Sequence, residues 1–185
     1  MKTSKKSAVS LSKRARKIRL LLMDVDGVLT DGRVWLQSWP DGTAHEIKGF
    51  HAHDGAALKF AHHGGIRTGV ITGRDSPAMK RRAKETWMDF VYQGRGEKLP
   101  AFEEILRKAR LRAEEVCYIG DDLPDLPVMA RAGLAVAVAN SALEVKRAAH
   151  YVTRSRGGDG AVREVVELLL KAQGKWAKVI PRARA

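Results

Sequence analysis

The chain has 185 residues, of which 44% are apolar, enough for one domain with a core and too few for two full ones. Its single cysteine, Cys117, excludes an internal disulfide framework, fits a reducing compartment and reads as a small core residue. The net charge of +13 invites a nucleic-acid reading, but residues 1–19 hold eight Lys or Arg and residues 171–185 hold five, with no acid in either stretch, so the middle of the chain is formally neutral.

In chain order, residues 1–17 read as a basic, flexible tail, and residues 173–185 as a second one. Such tails hold RNA or an anionic surface weakly and with strong salt dependence. The short apolar run Leu20–Met23 is no signal-peptide core, and no run approaches the roughly 20 apolar residues of a membrane span. A cytoplasmic protein without membrane contact is expected. Between the tails, 18–172 reads as one domain. Ile18–Met23 is a continuous apolar run, as in a buried parallel strand. Arg33–Gln37 and Thr43–Lys48 flank the turn Pro40-Asp41-Gly42 and predict a β-hairpin within an insertion over about 31–50. A helix over Asp54–His63 ends at Gly64-Gly65, and Arg67–Ile71 is the next strand. The following helix starts at Asp75 or Ser76 with Pro77 in its first turn. Then come a strand (Asp89–Tyr92), a helix (Glu97–Ala109), a strand (Glu115–Ile119), a helix (Leu123–Arg131) and a strand (Leu134–Val138). Helices over Ser141–Ala148 and Ala161–Ala172 close the domain, with a short strand near Tyr151 between them. The loop Gly157-Gly158-Asp159-Gly160 is either a functional loop or a tight turn with Asp159 as N-cap. The alternation predicts an α/β, doubly wound, mostly parallel sheet with helices on both faces.

Ligands of open sheets bind beyond the carboxyl ends of the strands. Asp24 and Asp26 follow the first strand there, Thr72-Gly73-Arg74 the second, and Asp121-Asp122 the fourth, while Lys98 starts the helix after the third. Three carboxylates near one point repel unless a cation sits among them. Oxygen ligands of this kind suit Mg²⁺, which takes one or two carboxylates plus substrate phosphate. The Thr72 hydroxyl, the Lys98 ammonium and the backbone N–H groups of Gly27 and Gly73 could cradle a phosphoryl group. A carboxylate nucleophile would accept it as an aspartyl-phosphate, and a second aspartate would protonate the leaving oxygen and then activate water. Each piece alone has a plainer explanation in loop capping, a turn or a solvated charge. Their joint occurrence, in order and each at a strand end or helix start, does not.

The segments Asp24-Val25-Asp26-Gly27-Val28-Leu29-Thr30-Asp31, Thr72-Gly73-Arg74, Lys98 and Gly120-Asp121-Asp122-Leu123-Pro124-Asp125 resemble the four motifs of the haloacid dehalogenase superfamily. The resemblance implies a magnesium-dependent phosphatase with Asp24 as nucleophile, Asp26 as acid/base, and Thr72 and Lys98 on phosphate. It implies magnesium held by Asp24, the Asp26 carbonyl and Asp121, with Asp125 turned toward Lys98 or the metal's waters. Asp122 supports the site or replaces Asp121 as ligand.

The stretch between Asp26 and Thr72 holds only a hairpin and a helix, so no cap domain fits and the site of one subunit is open. Residues 18–176 are similar to the capless 3-deoxy-D-manno-octulosonate 8-phosphate phosphatases of lipopolysaccharide synthesis. The resemblance rests on Asp31-Gly32-Arg33, Phe50-His51-Ala52-His53-Asp54-Gly55, Ile71–Ser76, Tyr118–Met129 and Gly157–Glu164. It implies a homotetramer joined by the hairpins, each site completed by a neighbour. His53 stands where the family usually has arginine and Ala56 where a bulkier residue is common, and Ser38-Trp39-Pro40 lengthens the hairpin. His53 donates to a substrate carboxylate or merely links hairpin to helix. Arg74 joins the substrate-binding candidates. Other readings are the 9-phosphate of a nine-carbon keto-deoxy sugar acid or another small sugar phosphate as substrate, and, outside enzymes, a receiver-like signalling domain or a tail-driven RNA binder.

Overall fold

A computed structural model describes residues 5–180, with side chains from Leu11 onward. Helix α1 (Lys5–Lys17) leads into strand β1 (Leu20–Met23), whose four residues are all buried. Strands β2 (Trp35–Ser38) and β3 (Ala44–Ile47) pair only with each other, antiparallel. There follow α2 (Ala52–His63), β4 (Arg67–Ile71), α3 (Pro77–Glu85), β5 (Phe90–Tyr92) and α4 (Lys98–Ala109). The last third runs β6 (Val116–Gly120), α5 (Leu126–Met129), β7 (Leu134–Ala137), α6 (Leu143–Ala148), β8 (Tyr151–Val152), α7 (Ala161–Ala172) and α8 (Trp176–Val179).

Six strands form one sheet in the order β5-β4-β1-β6-β7-β8, every pair parallel. Side chains of β1 alternate between its two faces: Leu21 and Met23 join a core with α2 and α7, and Leu20 and Leu22 join a second core with α4 and α5. Because β1 lies between β4 and β6, the winding reverses at its carboxyl end, which is where a parallel sheet opens a crevice. No cap domain interrupts the chain between β1 and β4; the hairpin and α2 fill that interval.

Several local signals act as expected. Ser76 caps α3 through its hydroxyl, with Pro77 in the first turn. The hairpin turns at Trp39–Thr43, with Thr43 N–H donating to the Asp41 carboxylate at 2.9 Å. The helix expected over Leu123–Arg131 is instead a 3₁₀ turn (Leu123–Asp125) followed by the short α5. Pro127 lacks the N–H that a continuous helix from Leu123 would bond to the Leu123 carbonyl, whereas Pro124 would sit in its first turn, where no such bond is made.

The flexible-tail expectation is corrected at both ends for the described residues. Leu11, Ala15 and Ile18 recur at helical spacing, and all three pack on the core shared with α7. Arg14 donates to the Gly133 carbonyl at 2.6 Å. At the other end Gln173 donates to the carbonyls of Ala15 and Ile18, and Trp176 of α8 meets Phe60 edge to face. Residues 1–4 and 181–185 lie outside the described residues. Among the described residues no helix is long and apolar enough to cross a membrane.

Candidate functional site

Asp24 continues the ladder of β1, its N–H donating to the Ile119 carbonyl at 3.0 Å. The chain then coils tightly. The Val25 carbonyl accepts from the amides of Val28, Leu29 and Thr30, and the buried Thr30 hydroxyl oxygen accepts from Gly27 and Gly32 N–H at 3.3 Å each. This corrects the expectation that Gly27 offers its N–H to phosphate: that donor points at Thr30. The glycine is needed for a different reason. Its φ is +93°, and a Cβ there would lie 2.0 Å from an oxygen of Asp121.

From β6 the chain delivers Asp121, and the 3₁₀ turn behind it places Asp125 beneath. Asp125 is fully buried and completely engaged. It accepts from Lys98 Nζ at 2.7 Å, from the Tyr118 hydroxyl at 2.8 Å and from the Asp121 N–H at 2.9 Å. Lys98 also forms an ion pair with Asp24 Oδ1 at 2.9 Å. Thr72, at the end of β4, is 2% exposed, and its hydroxyl faces the Arg74 N–H at 3.4 Å.

Carboxylate oxygens of Asp24, Asp121 and Asp125 lie within 4.8 Å of one another. One ammonium faces these three carboxylates. Burial therefore drives Asp24 up to about 6, against the pull of Lys98 and with the push of Asp125. Burial, then the charges of Asp24 and Asp125, raise Asp121 to about 7. Burial opposes the Lys98 charge, but Asp24 and Asp125 outweigh it and hold the ammonium above its ordinary value. Asp121 Oδ1 is buried without a hydrogen-bond donor, and Asp24 Oδ1 has only the Lys98 ammonium beside it. These two carboxylate oxygens, beside an excess of negative charge, fit a hard divalent cation such as Mg²⁺. Asp125, with its oxygens already bound, is the brace of this set. Asp122 is turned out to solvent, where it caps the 3₁₀ turn by accepting from Leu123 N–H at 2.8 Å, so it does not replace Asp121.

A cleft of about 380 Å³ gathers Asp24, Asp26, Thr72, Gly73, Arg74, Lys98, Asp121, Asp122 and Asp125. Lys48 and Glu46, which no motif singled out, border Asp26 from the hairpin side. Lys48, at the end of β3, reaches in from the hairpin to pair with Asp26 and lies 3.1 Å from Glu46. Arg74 bridges Glu46 at 3.0 Å and Asp26 at 3.9 Å. Burial pushes Glu46 up, but Lys48 and Arg74 outweigh it and leave it below the usual carboxylate range.

His53 does not line this cleft. It is exposed at the start of α2, its ring 4.9 Å from His51, and borders a larger groove of about 880 Å³ with Arg154, Arg163 and Lys171. Asp159 is not the N-cap of α7 either. That helix start is held by Asp54, which accepts from the N–H groups of Gly160 at 3.3 Å and Arg163 at 2.8 Å. The Gly157-Gly158 segment braces the loop after β1, with Gly158 N–H donating to the Val28 carbonyl at 2.9 Å. A Cβ on Gly157 would sit 1.7 Å from the Gly27 carbonyl oxygen.

A strand-end carboxylate set of this kind on this sheet defines the class of haloacid dehalogenase-like hydrolases, and residues 83–165 match that family. A 3-deoxy-D-manno-octulosonate 8-phosphate phosphatase of Yersinia pestis is 44% identical over 162 residues, covering 88% of this chain and 84% of the relative. The crystal structure of that enzyme type from Yersinia pestis matches with a TM-score of 0.86 at 43% identity, covering 91% of this chain and 89% of that one. The enzyme from Moraxella catarrhalis, solved with magnesium, phosphate and a KDO molecule, matches with a TM-score of 0.85 at 39% identity, covering 91% and 94%. The chain belongs to the 3-deoxy-D-manno-octulosonate 8-phosphate phosphatase family.

Proposed function

We propose that this protein hydrolyses the 8-phosphate of 3-deoxy-D-manno-octulosonate, or a closely related sugar-acid phosphate, to the free sugar acid and phosphate. The observation that carries the reading is the gathering of Asp24 and Asp121 with Asp26, Thr72 and Lys98 in one cleft, where Asp121 Oδ1 is buried without a donor and Asp24 Oδ1 has only the Lys98 ammonium. Asp24 attacks phosphorus as its carboxylate, an aspartyl-phosphate bond forms, and the bond from phosphorus to the sugar oxygen breaks. Asp26 gives its proton to that oxygen. Asp26 then takes a proton from the water that attacks phosphorus, and Asp24 leaves as carboxylate. Thr72 and Lys98 hold the phosphoryl oxygens through a hydroxyl and an ammonium, and Arg74 faces the sugar acid. Asp24, Asp121 and the Asp26 carbonyl would hold Mg²⁺, which supplies neutralising charge between nucleophile and phosphate.

The hairpin supports self-assembly. Trp35, Leu36, Trp39 and Ile47 are each at least half or nearly half exposed, and a two-stranded hairpin with both faces in water is marginal on its own. Copies joined through these faces would form the homotetramer and close the open cleft. His53, turned away from the cleft of its own subunit, would then reach substrate only from a neighbour.

The test is phosphate release from a panel of eight- and nine-carbon keto-acid sugar phosphates, ordinary sugar phosphates and an aryl phosphate, with and without Mg²⁺. Metal-dependent turnover with the highest kcat/KM on a keto-acid sugar phosphate is expected. Asp24→Asn should remove it by about 10³-fold or more, the scale of a lost nucleophile. Full activity in that variant would rule the mechanism out.

A further inference from the structure

Lys48 is the one hairpin side chain that reaches the acid/base candidate. Its side chain is only 4% exposed, although the hairpin that carries it stands in solvent. A lysine is buried this deeply only against paired charge. Its ammonium meets Asp26 Oδ1 and Glu46, while Arg74 faces Asp26 Oδ2 from the other side. Glu46 in turn fixes Arg74 at 3.0 Å. Each oxygen of Asp26 therefore has its own cation, one from the hairpin and one from the loop after β4.

β3 has the period to do this. Glu46 and Lys48 lie two apart and share a face, and Ile47 between them points the other way beside its cross-strand partner Trp35. Trp35 and Ile47 lie on the face turned from the cleft, and Glu46 and Lys48 lie with Leu36, the cross-strand partner of Glu46, on the face turned toward it. The hairpin is thereby fastened to the site through the side chain of Asp26.

Resting on the phosphatase reading above, we propose that Lys48 is a positioning residue for Asp26: it sets the direction from which that carboxyl delivers its proton to the leaving oxygen. Hairpin placement and proton delivery are then one event. A role limited to anchoring the hairpin would slow alike any substrates that lack the sugar-acid group the roof would hold. A role through Asp26 would not, because an aryl oxide departs without a proton and a sugar alkoxide does not.

The experiment measures kcat/KM for Lys48→Met on a neutral sugar phosphate, which has no acid group for a roof to hold, and on 4-nitrophenyl phosphate, since this ratio reports the step in which Asp24 is phosphorylated. A fall of about 10- to 100-fold is expected on the sugar phosphate, part of what an acid–base group contributes. On the aryl phosphate the ratio should stay within about threefold, while kcat falls because the later water attack needs Asp26 as base. Lys48→Arg should recover part of the sugar-phosphate loss. Equal losses on both substrates, or none, overturn the proposal. If Lys48→Met fails to fold by circular dichroism, Lys48→Gln is put to the same comparison with the same deciding outcomes. Asp24→Asn, inactive on both substrates, checks the underlying mechanism separately.

Discussion

At the scale of single residues, charge balance decides behaviour with pH. Asp24 and Asp121 rise from 3.8 to about 6 and about 7, because burial, and then the charge of Asp125 on both and of Asp24 on Asp121, disfavour their ionised forms. A folded-state value above the unfolded one means the fold prefers the proton. The stability this adds is full below about pH 4 and is lost as pH rises through about 6 to 7. Mg²⁺ competes for the same oxygens, so the rise in Tm produced by Mg²⁺ should be small at pH 5 and grow toward pH 8. Asp121→Asn should flatten that growth in thermal melts with and without metal, and a metal-induced shift independent of pH would contradict this account. Asp24, Thr72, Lys98 and Asp121 were legible in the sequence because each sits at a strand end or helix start, and the sheet converges those positions on one cleft. Lys48, Glu46 and Tyr118 were not. Lys48 and Glu46 look like ordinary surface charges until the hairpin folds back, and Tyr118 looks like one more apolar residue of a buried strand until its hydroxyl meets Asp125.

At the scale of elements, the helix ends were hardest to read. A glycine-rich loop with Asp159 before α7 has the local pattern of an N-cap, yet the carboxylate that serves comes from Asp54 at the start of α2. Local sequence cannot reveal a partner supplied by tertiary contact. α2 and α7 pack together over the core beneath β1, so this carboxylate ties two helices and lets the Gly157-Gly158 segment brace the loop after Asp24. Asp54→Ala leaves the amides of Gly160 and Arg163 without an acceptor in a buried setting, which costs about 1–3 kcal/mol. Chemical denaturation should show that loss, and hydrogen exchange should quicken first at the start of α7. Asp54→Asn keeps an acceptor oxygen and should lose less. The terminal helices carry a related lesson. Charge counting made both ends look like tails, but Leu11, Ala15 and Ile18 already had the helical spacing that buries α1.

On the scale of the whole molecule, an open cleft and an apolar hairpin call for the same partner. β2 and β3 join no other strand, and Trp35 and Ile47 are 57% and 49% exposed on the face away from Lys48. Leaving such a surface in water is unfavourable, and covering it with the hairpins of further copies would also hold Lys48 over Asp26. Trp35→Glu places a charge in that contact without touching the cleft. Sedimentation velocity should then show a smaller species than wild type at the same concentration. If a neighbour roofs the cleft as proposed, its kcat/KM should fall far more on a keto-acid sugar phosphate than on 4-nitrophenyl phosphate, because the small aryl substrate would need only the phosphate-binding floor. His53→Ala should lower sugar-acid kcat/KM in the assembled protein and do nothing further in the Trp35→Glu background. An assembled state unaffected by Trp35→Glu would move the interface off this face of the hairpin, and an unchanged substrate preference in a dissociated variant would show that one subunit builds the whole site.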